Sequence, residues 1–589
     1  VTLESDDAVA RPDLRIGADL EVFDNVLVVG QRGALNSALS QQRASDKVIT
    51  VIASDAIGQL PDENVAEAAR RAAGINILND QGEGRFISVR GADPNFVSTT
   101  INGVRIPSPE AEARQTPLDV IDSDILSAIV ITKSLTPDID ADSIGGNVEI
   151  RTLSGLDQKN LLFKLKAAGL YANQTEDFGH RYSAIAANQF LDGRFGVAAS
   201  AAWQRRNFGS ENIEVDGPEY LFEGDIAYPA ELEQRDYLIT RQRFTGSLNL
   251  DYQATDALKF YVTGIYSEFS DDEIRTRSEN KFGDGVFDPA ASGASVAVIQ
   301  ASEDDEYEVD RDVRSRFEEQ TIYSIVGGAD YQTDRFSFDW SAAYSFAEES
   351  EPDRTLAAFR ANFDEGLFGV DVSDGILPRL NFPDAASEAA YFDAGNYEFD
   401  EFEVLNGLTQ DDELAFTANL RFDADLFGAP GYVQTGGKAR LRDKFYDVDI
   451  DVYDGFDGDD LLLSDFSTER DFRLDRINPS VDPVAFNNFF AANAGLFELN
   501  EVDSAIESAA ANYDAEEDIF AGYALAQRQF GGRLNVIAGV RVEHTNYRAT
   551  GNSVLTQEFE TSFAGDVTGT TDPNDVIPAP AIPGVLLAE

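Results

Sequence analysis

Three short motifs decide the fold of this chain: ISVRG at Ile87–Gly91, INGVRI at Ile101–Ile106 and DADSIGGNVEI at Asp140–Ile150. In the first motif apolar and polar residues alternate, which predicts a strand. The second motif contains Asn102-Gly103, a strong hairpin-turn signal because both residues tolerate positive φ. Upstream, the pattern predicts a helix that starts at Pro61 and is stopped by Gly74. Together these patterns predict a compact α/β domain.

The composition excludes several classes of protein. The chain has 46 basic and 106 acidic side chains and a net charge of −60, which excludes a nucleic-acid partner because phosphate binding needs clustered Lys and Arg. With 43% hydrophobic and 11% aromatic residues it is not a disordered chain, so the acidic residues belong on exposed loops or in a wet lumen. Cysteine is absent and His180 and His544 are far apart, so we expect no zinc site, no required cofactor and no enzyme activity.

The sequence after Gly155 falls into segments with period-two hydrophobicity, and no run of eighteen apolar residues is present. In Phe336–Phe346, five aromatic residues and Ala342 share one face, while Asp339 and small residues share the other. Such alternation is typical of transmembrane strands that face lipid on one side and a lumen on the other. It predicts eleven strands, at 161–171, 180–190, 195–205, 241–252, 258–269, 320–331, 336–347, 414–424, 432–446, 519–529 and 533–544.

The connections between these predicted strands alternate between tight and long. The tight ones lie at 191–194, 253–257, 332–335, 425–431 and 530–532. The long ones lie at 206–240, 270–319, 348–413 and 447–518. Outer-membrane barrels have short periplasmic turns and long outer loops, whereas two packed sheets have no reason to follow that rule. The fold prediction is therefore a transmembrane β-barrel that follows an α/β domain.

The segment Asn64–Arg151, which contains the three motifs, resembles the plug domain of TonB-dependent outer-membrane receptors. The resemblance implies an N-terminal α/β plug domain inside the lumen of a barrel of about 22 strands, of which this chain supplies about 11. It divides the chain into a flexible leader at 1–30, a plug domain at 31–155 and the N-terminal half of the barrel with long extracellular loops at 156–589. The implied location is the outer membrane of a Gram-negative bacterium, with the signal peptide already removed.

Within the leader, six residues resemble the TonB box: Asp24, Asn25, Val26, Leu27, Val28 and Val29. Such a box works by backbone pairing, because an extended segment can add a strand to the edge of a partner's sheet. The implied partners are TonB and its inner-membrane motor. The alternative is that Val26–Val29 form an ordinary first strand of the plug.

The resemblance also assigns roles within the plug. It implies that Arg90 is buried at the contact with the barrel wall and pairs with a lumen carboxylate, as buried arginines commonly do, whereas the alternative is a solvated arginine on a strand. Structural roles are implied for Arg90, Gly91, Asn102, Gly103, Gly145 and Gly146. The positions at which the plug apices of the family approach the ligand correspond to Asp93, Asn95, Phe96, Arg105, Glu110 and Arg114.

Two features of the predicted outer loops bear on ligands. One is a set of aromatic residues among Asp and Asn, which either stack on sugar rings or pack the loops into a closed dome: Tyr220, Phe222, Tyr228, Tyr391, Phe392 and Tyr397. The other is a group of carboxylates that could hold calcium: Asp449, Asp451, Asp454 and Asp457. Because no complete EF-hand loop is present, a solvated acidic loop without a metal is the favoured interpretation.

An open sheet of eleven strands would leave unpaired backbone groups in lipid, each unfavourable by several kcal/mol. We therefore expect either a second chain that supplies the C-terminal half of the barrel, or a sequence that is truncated. The other expected partners are outer-membrane lipid, lipopolysaccharide and a small-molecule ligand.

The leading hypothesis for function is TonB-dependent active import of a scarce nutrient. The plug motif is most similar to receptors associated with carbohydrate uptake, which makes an oligosaccharide the first choice of cargo. Dense negative charge would repel anionic chelates at the mouth, which also favours neutral or cationic ligands. A ferric siderophore or haem is the alternative cargo. A hypothesis from another class makes the protein a surface scaffold or adhesin within a larger outer-membrane complex.

Overall fold

The computed structural model describes residues 31–53, 62–158, 160–215, 220–223, 226–531, 534–555 and 586–588. The segment Asp24–Val29, which resembles the TonB box, lies outside the described residues. The helices are α1 (Gln31–Ala44), α2 (Val65–Ala69), α3 (Ala385–Tyr391), α4 (Pro483–Asn493) and α5 (Glu501–Ala511). None of the helices in this part of the chain is both long enough and apolar enough to cross a membrane.

The N-terminal domain, by which we mean the described residues up to 158, is built on a five-stranded sheet. The strands of this domain are β1 (Ile49–Ala53), β2 (Ile75–Asp80), β3 (Glu83–Val89), β4 (Val97–Ile101), β5 (Val104–Arg105), β6 (Leu126–Thr132) and β7 (Gly146–Thr152). The spatial order in the sheet is β1-β6-β7-β4-β5, and β2 and β3 form a separate hairpin. Only the β4–β7 pair of this sheet is parallel.

Helix α2 is tied to the hairpin by its N-cap. The side-chain oxygen of Asn64 accepts a hydrogen bond from the backbone N of Glu67 at 2.9 Å, and its Nδ2 donates to the carbonyl oxygen of Gly84 at 3.0 Å. The cap thus satisfies a free donor of the first turn. The helix buries Val65, Ala66, Ala68 and Ala69, and these small side chains allow close packing inside a thin domain.

Most of the described residues after 158 form one large antiparallel sheet, which we call the wall. Its strands are β8 (Leu162–Ala172), β9 (Asp177–Phe190), β10 (Phe195–Glu214), β11 (Glu231–Gln253), β12 (Leu258–Lys281), β13 (Tyr307–Gln332), β14 (Phe336–Phe363), β15 (Glu398–Leu426), β16 (Ala429–Phe456), β17 (Tyr513–Phe530) and β18 (Leu534–Gly551). Each of these eleven strands pairs with its neighbours in sequence, and a twelfth, short strand (Phe497–Leu499) pairs with β16 off this path, so β8 and β18 are the edges of the described sheet. The prediction of eleven strands is confirmed.

The wall has one apolar face and one polar face. On β14, Phe338, Trp340 and Tyr344 are exposed, whereas Ser345 is buried and its hydroxyl lies 2.8 Å from that of Ser324 on β13. The N-terminal domain packs against the polar face. Tight turns at 191–194, 254–257, 333–335 and 427–428 lie at one end of the wall, and long connections follow β10, β12, β14 and β16 at the other.

The wall strands are longer than predicted at the end with the long connections. β12 continues to Lys281 instead of ending near residue 269, and β15 begins at Glu398 instead of near residue 414. Parts of the predicted loops at 206–240, 270–319, 348–413 and 447–518 are therefore strand. These extensions carry paired charges, such as Arg275 Nη2 and Asp312 Oδ1 at 2.8 Å, instead of alternating apolar residues. Periodicity located only the amphipathic part of each strand.

The long connections form a layer with its own aromatic core. Phe486 of α4 lies at its centre, with ring centroids 5.7 Å from Phe359 and 5.2 Å from both Phe402 and Phe466. The short strands near this end are Tyr220–Glu223, Ile226–Pro229, Val286–Phe287, Val296–Ala301, Gly366–Asp371, Arg379–Asn381, Ser467–Thr468, Ser480–Val481, Phe497–Leu499, Ser553–Leu555 and Leu586–Ala588.

This core decides between the two interpretations of the loop aromatics. Tyr228, Tyr391 and Tyr397 are buried in it, so they pack the connections together and are not free to stack on a sugar. Tyr220 and Phe222 are exposed. Packing is therefore the role of most of the aromatic residues that we singled out.

Candidate functional site

The N-terminal domain meets the wall largely through charged side chains. Arg181 of β9 pairs with Asp122 and lies 3.2 Å from Asp124 Oδ2. Arg181 and Asp122 are almost fully buried, with exposures of 4% and 0%. Arg181 also donates from Nη1 to the carbonyl oxygen of Asp62 at 2.9 Å, and the backbone N of Asp122 donates to Thr245 Oγ1 at 3.1 Å. These contacts fix the domain to two separate strands of the wall.

Arg90 is not the buried arginine of this interface, so that prediction is wrong. Its side chain is exposed. Strand β3 ends at Val89, and Arg90 and Gly91 then turn the chain with φ values of 57° and 77°. The turn carries the Arg90 side chain out of the alternating strand pattern and away from the buried face.

Arg85, which lies inside β3, takes the role that we predicted for Arg90. It donates to Asp80 at 2.9 Å and to Glu110, and its guanidinium lies 4.0 Å from both Asp119 and the wall residue Glu318. Burial raises the pKa of Asp119 to about 6, while Arg85 opposes this shift. One arginine thus compensates several carboxylates of the N-terminal domain and the wall.

A second group of contacts surrounds Glu83. Arg241 Nη1 and Arg243 Nη2, both from β11, lie 3.0 Å and 3.4 Å from Glu83 Oε2. Arg206 of β10 pairs with both Glu83 and Glu63. Burial raises the pKa of Glu63 to about 7, opposed by Arg206 and supported by Glu83.

Arg105, a predicted ligand residue, is instead buried and paired with Asp142. Arg440 of the wall joins the same group, because its Nη1 lies 3.3 Å from Asp142 and its Nη2 lies 2.7 Å from Glu413. Burial opposes ionisation of Asp142, but Arg105, Arg440 and Arg114 hold its pKa below the usual value. Glu110, another predicted ligand residue, likewise forms an ion pair with Arg85.

The other predicted ligand residues lie together. The side chain of Asp93 accepts from the backbone N of Asn95 at 2.9 Å, and Asn95 Oδ1 accepts from the backbone N of Arg114 at 3.2 Å. Phe96 is 51% exposed. The guanidinium of Arg114 makes two bonds to Glu517 of β17, at 3.0 Å and 2.9 Å. The structure thus groups Asp93, Asn95 and Arg114.

The predicted turn residues occupy special backbone positions. Asn102 and Gly103 form the turn between β4 and β5, with φ values of 48° and 84°. A Cβ on Gly145 would lie 3.1 Å from the carbonyl oxygen of Phe96, so the close approach of these two segments needs glycine. Gly146, with φ of 145°, begins β7.

A cavity of about 480 Å³ lies between the tip of the 107–116 segment and the last three strands of the wall. It combines charged side chains with aromatic rings and small residues: Ala111, Glu112, Ala113, Arg114, Arg442, Lys444, Tyr513, Ala515, Glu517, Tyr547, Ala549, Thr550 and Gly551. Rings beside a few polar groups are typical of sites for small ligands.

The wall residues of this cavity were not predicted from the sequence. Arg442 and Lys444 line it and belong, with Lys438 and Arg440, to a period-two stripe of basic residues that share one face of β16. That stripe is the signal that could have identified them, because basic residues are scarce in this acidic chain.

The two ends of the N-terminal domain lie at opposite ends of the wall. Asp46 accepts hydrogen bonds from Tyr432 Oη at 3.2 Å and from Asn535 Nδ2 at 3.3 Å, close to the tight turn at 427–428. Lys444 Nζ, further along β16, donates to the carbonyl oxygen of Ala113 at 3.0 Å. The 107–116 segment therefore lies toward the long connections.

We predicted that the acidic segment around Asp449 is a loop, but it is the end of a strand. Asp449, Asp451 and Asp454 belong to β16, and Asp457 follows directly after it. The carboxylate of Asp454 accepts from Asn500 Nδ2 at 2.7 Å. Within the described ranges, no group of three or more His, Asp or Glu side chains is arranged to hold a metal ion.

Residues 41–147 match the family model described as TonB-dependent Receptor Plug Domain. Among solved structures, the copper transporter OprC is similar at 10% identity, covering 86% of this chain and 80% of that one, with a TM-score of 0.31. A ferric enterobactin receptor of Pseudomonas aeruginosa is similar at 7% identity, covering 84% and 93%, with a TM-score of 0.30. No curated protein matches the sequence. The chain therefore contains the plug domain of TonB-dependent receptors, packed against a large antiparallel sheet.

Proposed function

We propose that this protein is a TonB-dependent transporter that imports a scarce nutrient across the outer membrane. The observation that carries the proposal is the orientation of the plug, whose N-terminal end lies at the tight-turn end of the wall. Tight turns face the periplasm in outer-membrane barrels. Asp46 of the plug then lies on the side where TonB acts, and we assign the pairing with TonB to Asp24–Val29.

The contact between plug and wall suits a domain that is held at rest and then moved. It consists largely of ion pairs and hydrogen bonds, such as those of Arg181 with Asp122 and of Arg440 with Asp142. Water in an opened lumen can replace the partners of separated polar groups, which keeps the net loss per hydrogen bond small. TonB would supply the work from the proton gradient of the inner membrane.

We propose an oligosaccharide as the cargo. The cavity beside the plug loop offers the rings of Tyr513 and Tyr547 together with hydrogen-bonding groups, a combination that suits a sugar. Its cations are already paired, Arg442 with Asp411 and Arg114 with Glu517. Because the chain also carries a net charge of −60, an anionic ferric chelate is disfavoured relative to a neutral ligand.

We also propose that further strands close the wall around the plug. Strands β8 and β18 each have one free edge in the described sheet, and a free edge in lipid leaves unsatisfied backbone groups. The additional strands come either from a second polypeptide or from a longer form of this chain. Mass spectrometry of the purified native complex distinguishes these two sources.

Uptake by cells that produce the full-length natural protein tests the function. The labelled probes are maltohexaose, cellohexaose, a ferric hydroxamate siderophore and haem. We expect accumulation of an oligosaccharide that is abolished by deletion of 24–29 and retained after deletion of residues 8–13. Accumulation of only the iron compounds contradicts the cargo. Uptake that survives deletion of 24–29 contradicts the mechanism, and binding without any uptake supports the scaffold hypothesis instead.

A further inference from the structure

Lys444 of the wall holds the backbone of the plug segment 107–116, which belongs to no helix or strand. Its ammonium group donates to the carbonyl oxygens of Ser108 at 3.4 Å, Ala113 at 3.0 Å and Glu110. An ammonium group has three donors and no acceptor, so these three carbonyls use its full capacity. One wall side chain thus replaces the backbone pairing that a strand or helix would provide.

Other wall side chains complete this clamp. The hydroxyl of Tyr513 donates to the carbonyl oxygen of Ala111. The backbone N of Ser108 donates to Asp411 Oδ2 at 3.1 Å. Most of the clamp therefore acts on the backbone of the loop.

The base of the loop is closed by bonds within the plug itself. Ser108 Oγ donates to the carbonyl oxygen of Gln115 at 2.7 Å, and Thr116 Oγ1 donates to that of Ile106 at 3.1 Å. These bonds do not involve the wall. They keep the base closed when the tip at 109–114 leaves the wall, a movement that also separates Arg114 from Glu517 of the wall and Glu110 from Arg85.

Lys444 and Tyr513 of the clamp also line the cavity of about 480 Å³, together with Tyr547. We propose that a ligand rich in acceptor oxygens, such as the hydroxyl and ring oxygens of a sugar, takes over the donors of Lys444 and Tyr513 and so releases the tip. Carbonyl and hydroxyl oxygens are comparable acceptors for an ammonium group, so the exchange is nearly balanced and ligand occupancy decides it. Lys444 and Tyr513 are then positioning residues, because their bonds to the tip are kept or lost according to whether the cavity is occupied.

This proposal rests on the proposed function, but its first test needs no cargo. The chain has no cysteine, so Glu112→Cys places a single nitroxide label on an exposed position of the tip. We expect the ratio of mobile to immobile label to rise about tenfold with Lys444→Met, as for loss of a charge-assisted hydrogen bond, and less with Tyr513→Phe. Lys259→Met is the matched control, since Lys259 pairs with Asp330 within the wall at 2.9 Å. Unchanged mobility in Lys444→Met overturns the clamp.

The second test adds maltohexaose or cellohexaose to the labelled protein and measures binding by calorimetry to both the labelled and the unlabelled protein, because Glu112 itself lines the cavity. We expect a bound sugar to raise label mobility in the parent and to add less in Lys444→Met, where the ammonium contacts to the tip are already lost. Binding without a change in mobility overturns the proposed release. If neither sugar binds, the proposals that a sugar is the cargo and that a sugar releases the tip are both contradicted. The first test still decides whether the clamp exists.

Discussion

Arg181 of the second wall strand and Asp122 of the plug form an ion pair in which both side chains are almost completely buried. Replacing Arg181 by Met leaves the carboxylate of Asp122 buried without its cation, whereas Asp124 keeps Lys166 at 2.9 Å. Loss of one partner of a buried pair is destabilising by about 3–5 kcal/mol. We expect Arg181→Met to make the plug sensitive to limited proteolysis in detergent while the wall stays folded.

The matched control for that experiment is Arg548→Met. Arg548 pairs with Glu516 at 3.4 Å, but both side chains are mostly exposed, and such a pair contributes about 1 kcal/mol or less. Equal protease sensitivity of the Arg181 and Arg548 variants would show that the buried pair does not hold the plug.

Arg85 and Arg90 provide a test within one hairpin. Arg85→Met should lower the melting temperature strongly, because it removes the cation shared by Asp80, Glu110 and the wall residue Glu318. Arg90→Met should change the free energy of unfolding by about 0.5 kcal/mol or less, as for other exposed substitutions. Thermal unfolding followed by circular dichroism measures both. A larger effect at Arg90 than at Arg85 would contradict the assignment.

Asp119 gives the plug a defined pH dependence. Burial raises its pKa from 3.8 to about 6, and neither of its carboxylate oxygens accepts a hydrogen bond in the described part of the chain. The folded state binds this proton more tightly than the unfolded state, so stability falls as the pH rises from about 4 to 6, by about 3 kcal/mol for this group.

Asp119→Asn removes that slope. Its melting temperature should exceed that of the parent at pH 7.5, and the difference should disappear toward pH 4. Asp93→Asn, at an exposed position of the same domain, is the control. A difference between Asp119→Asn and the parent that is constant over this pH range would contradict the prediction.

The aromatic core of the long connections should unfold locally when Phe486 is truncated. Phe486→Ala removes a fully buried ring, which is destabilising by about 3–5 kcal/mol. Hydrogen exchange should accelerate in residues 457–512, which include α4, but not in the plug. Phe222→Ala, which truncates a ring that is 74% exposed, should leave exchange unchanged. Faster exchange throughout the plug would show that the two regions are one cooperative unit.

The strands of the wall were predictable because alternation depends on which face of the strand each residue occupies. Phe338, Trp340 and Tyr344 mark the apolar face of β14 in the sequence as clearly as in the structure. The extensions beyond this amphipathic part were not predictable in this way. At Arg275, for example, the pairing partner is Asp312 on another strand, and no local pattern contains that information.

The site was less predictable than the fold. Motif similarity pointed to an arginine near Ile87 but selected Arg90, which follows the end of β3, instead of Arg85, which lies within the strand. The predicted ligand residues were chosen by their position in the plug. Two of them, Arg105 and Glu110, instead form ion pairs with Asp142 and Arg85. Lys444 acts on the plug through backbone carbonyls, so its role depends on the folded arrangement of two distant segments.

The central claim is that the wall separates lipid from a plug-filled lumen, and collision accessibility of spin labels on β14 tests it most directly. In liposomes, a nitroxide at Trp340→Cys should collide with oxygen and be protected from a water-soluble nickel complex. A nitroxide at the neighbouring Ser341→Cys, on the polar face, should show the reverse preference for the two quenchers. Equal accessibility of both positions to the nickel complex would contradict the account, because the wall would then not be embedded in lipid.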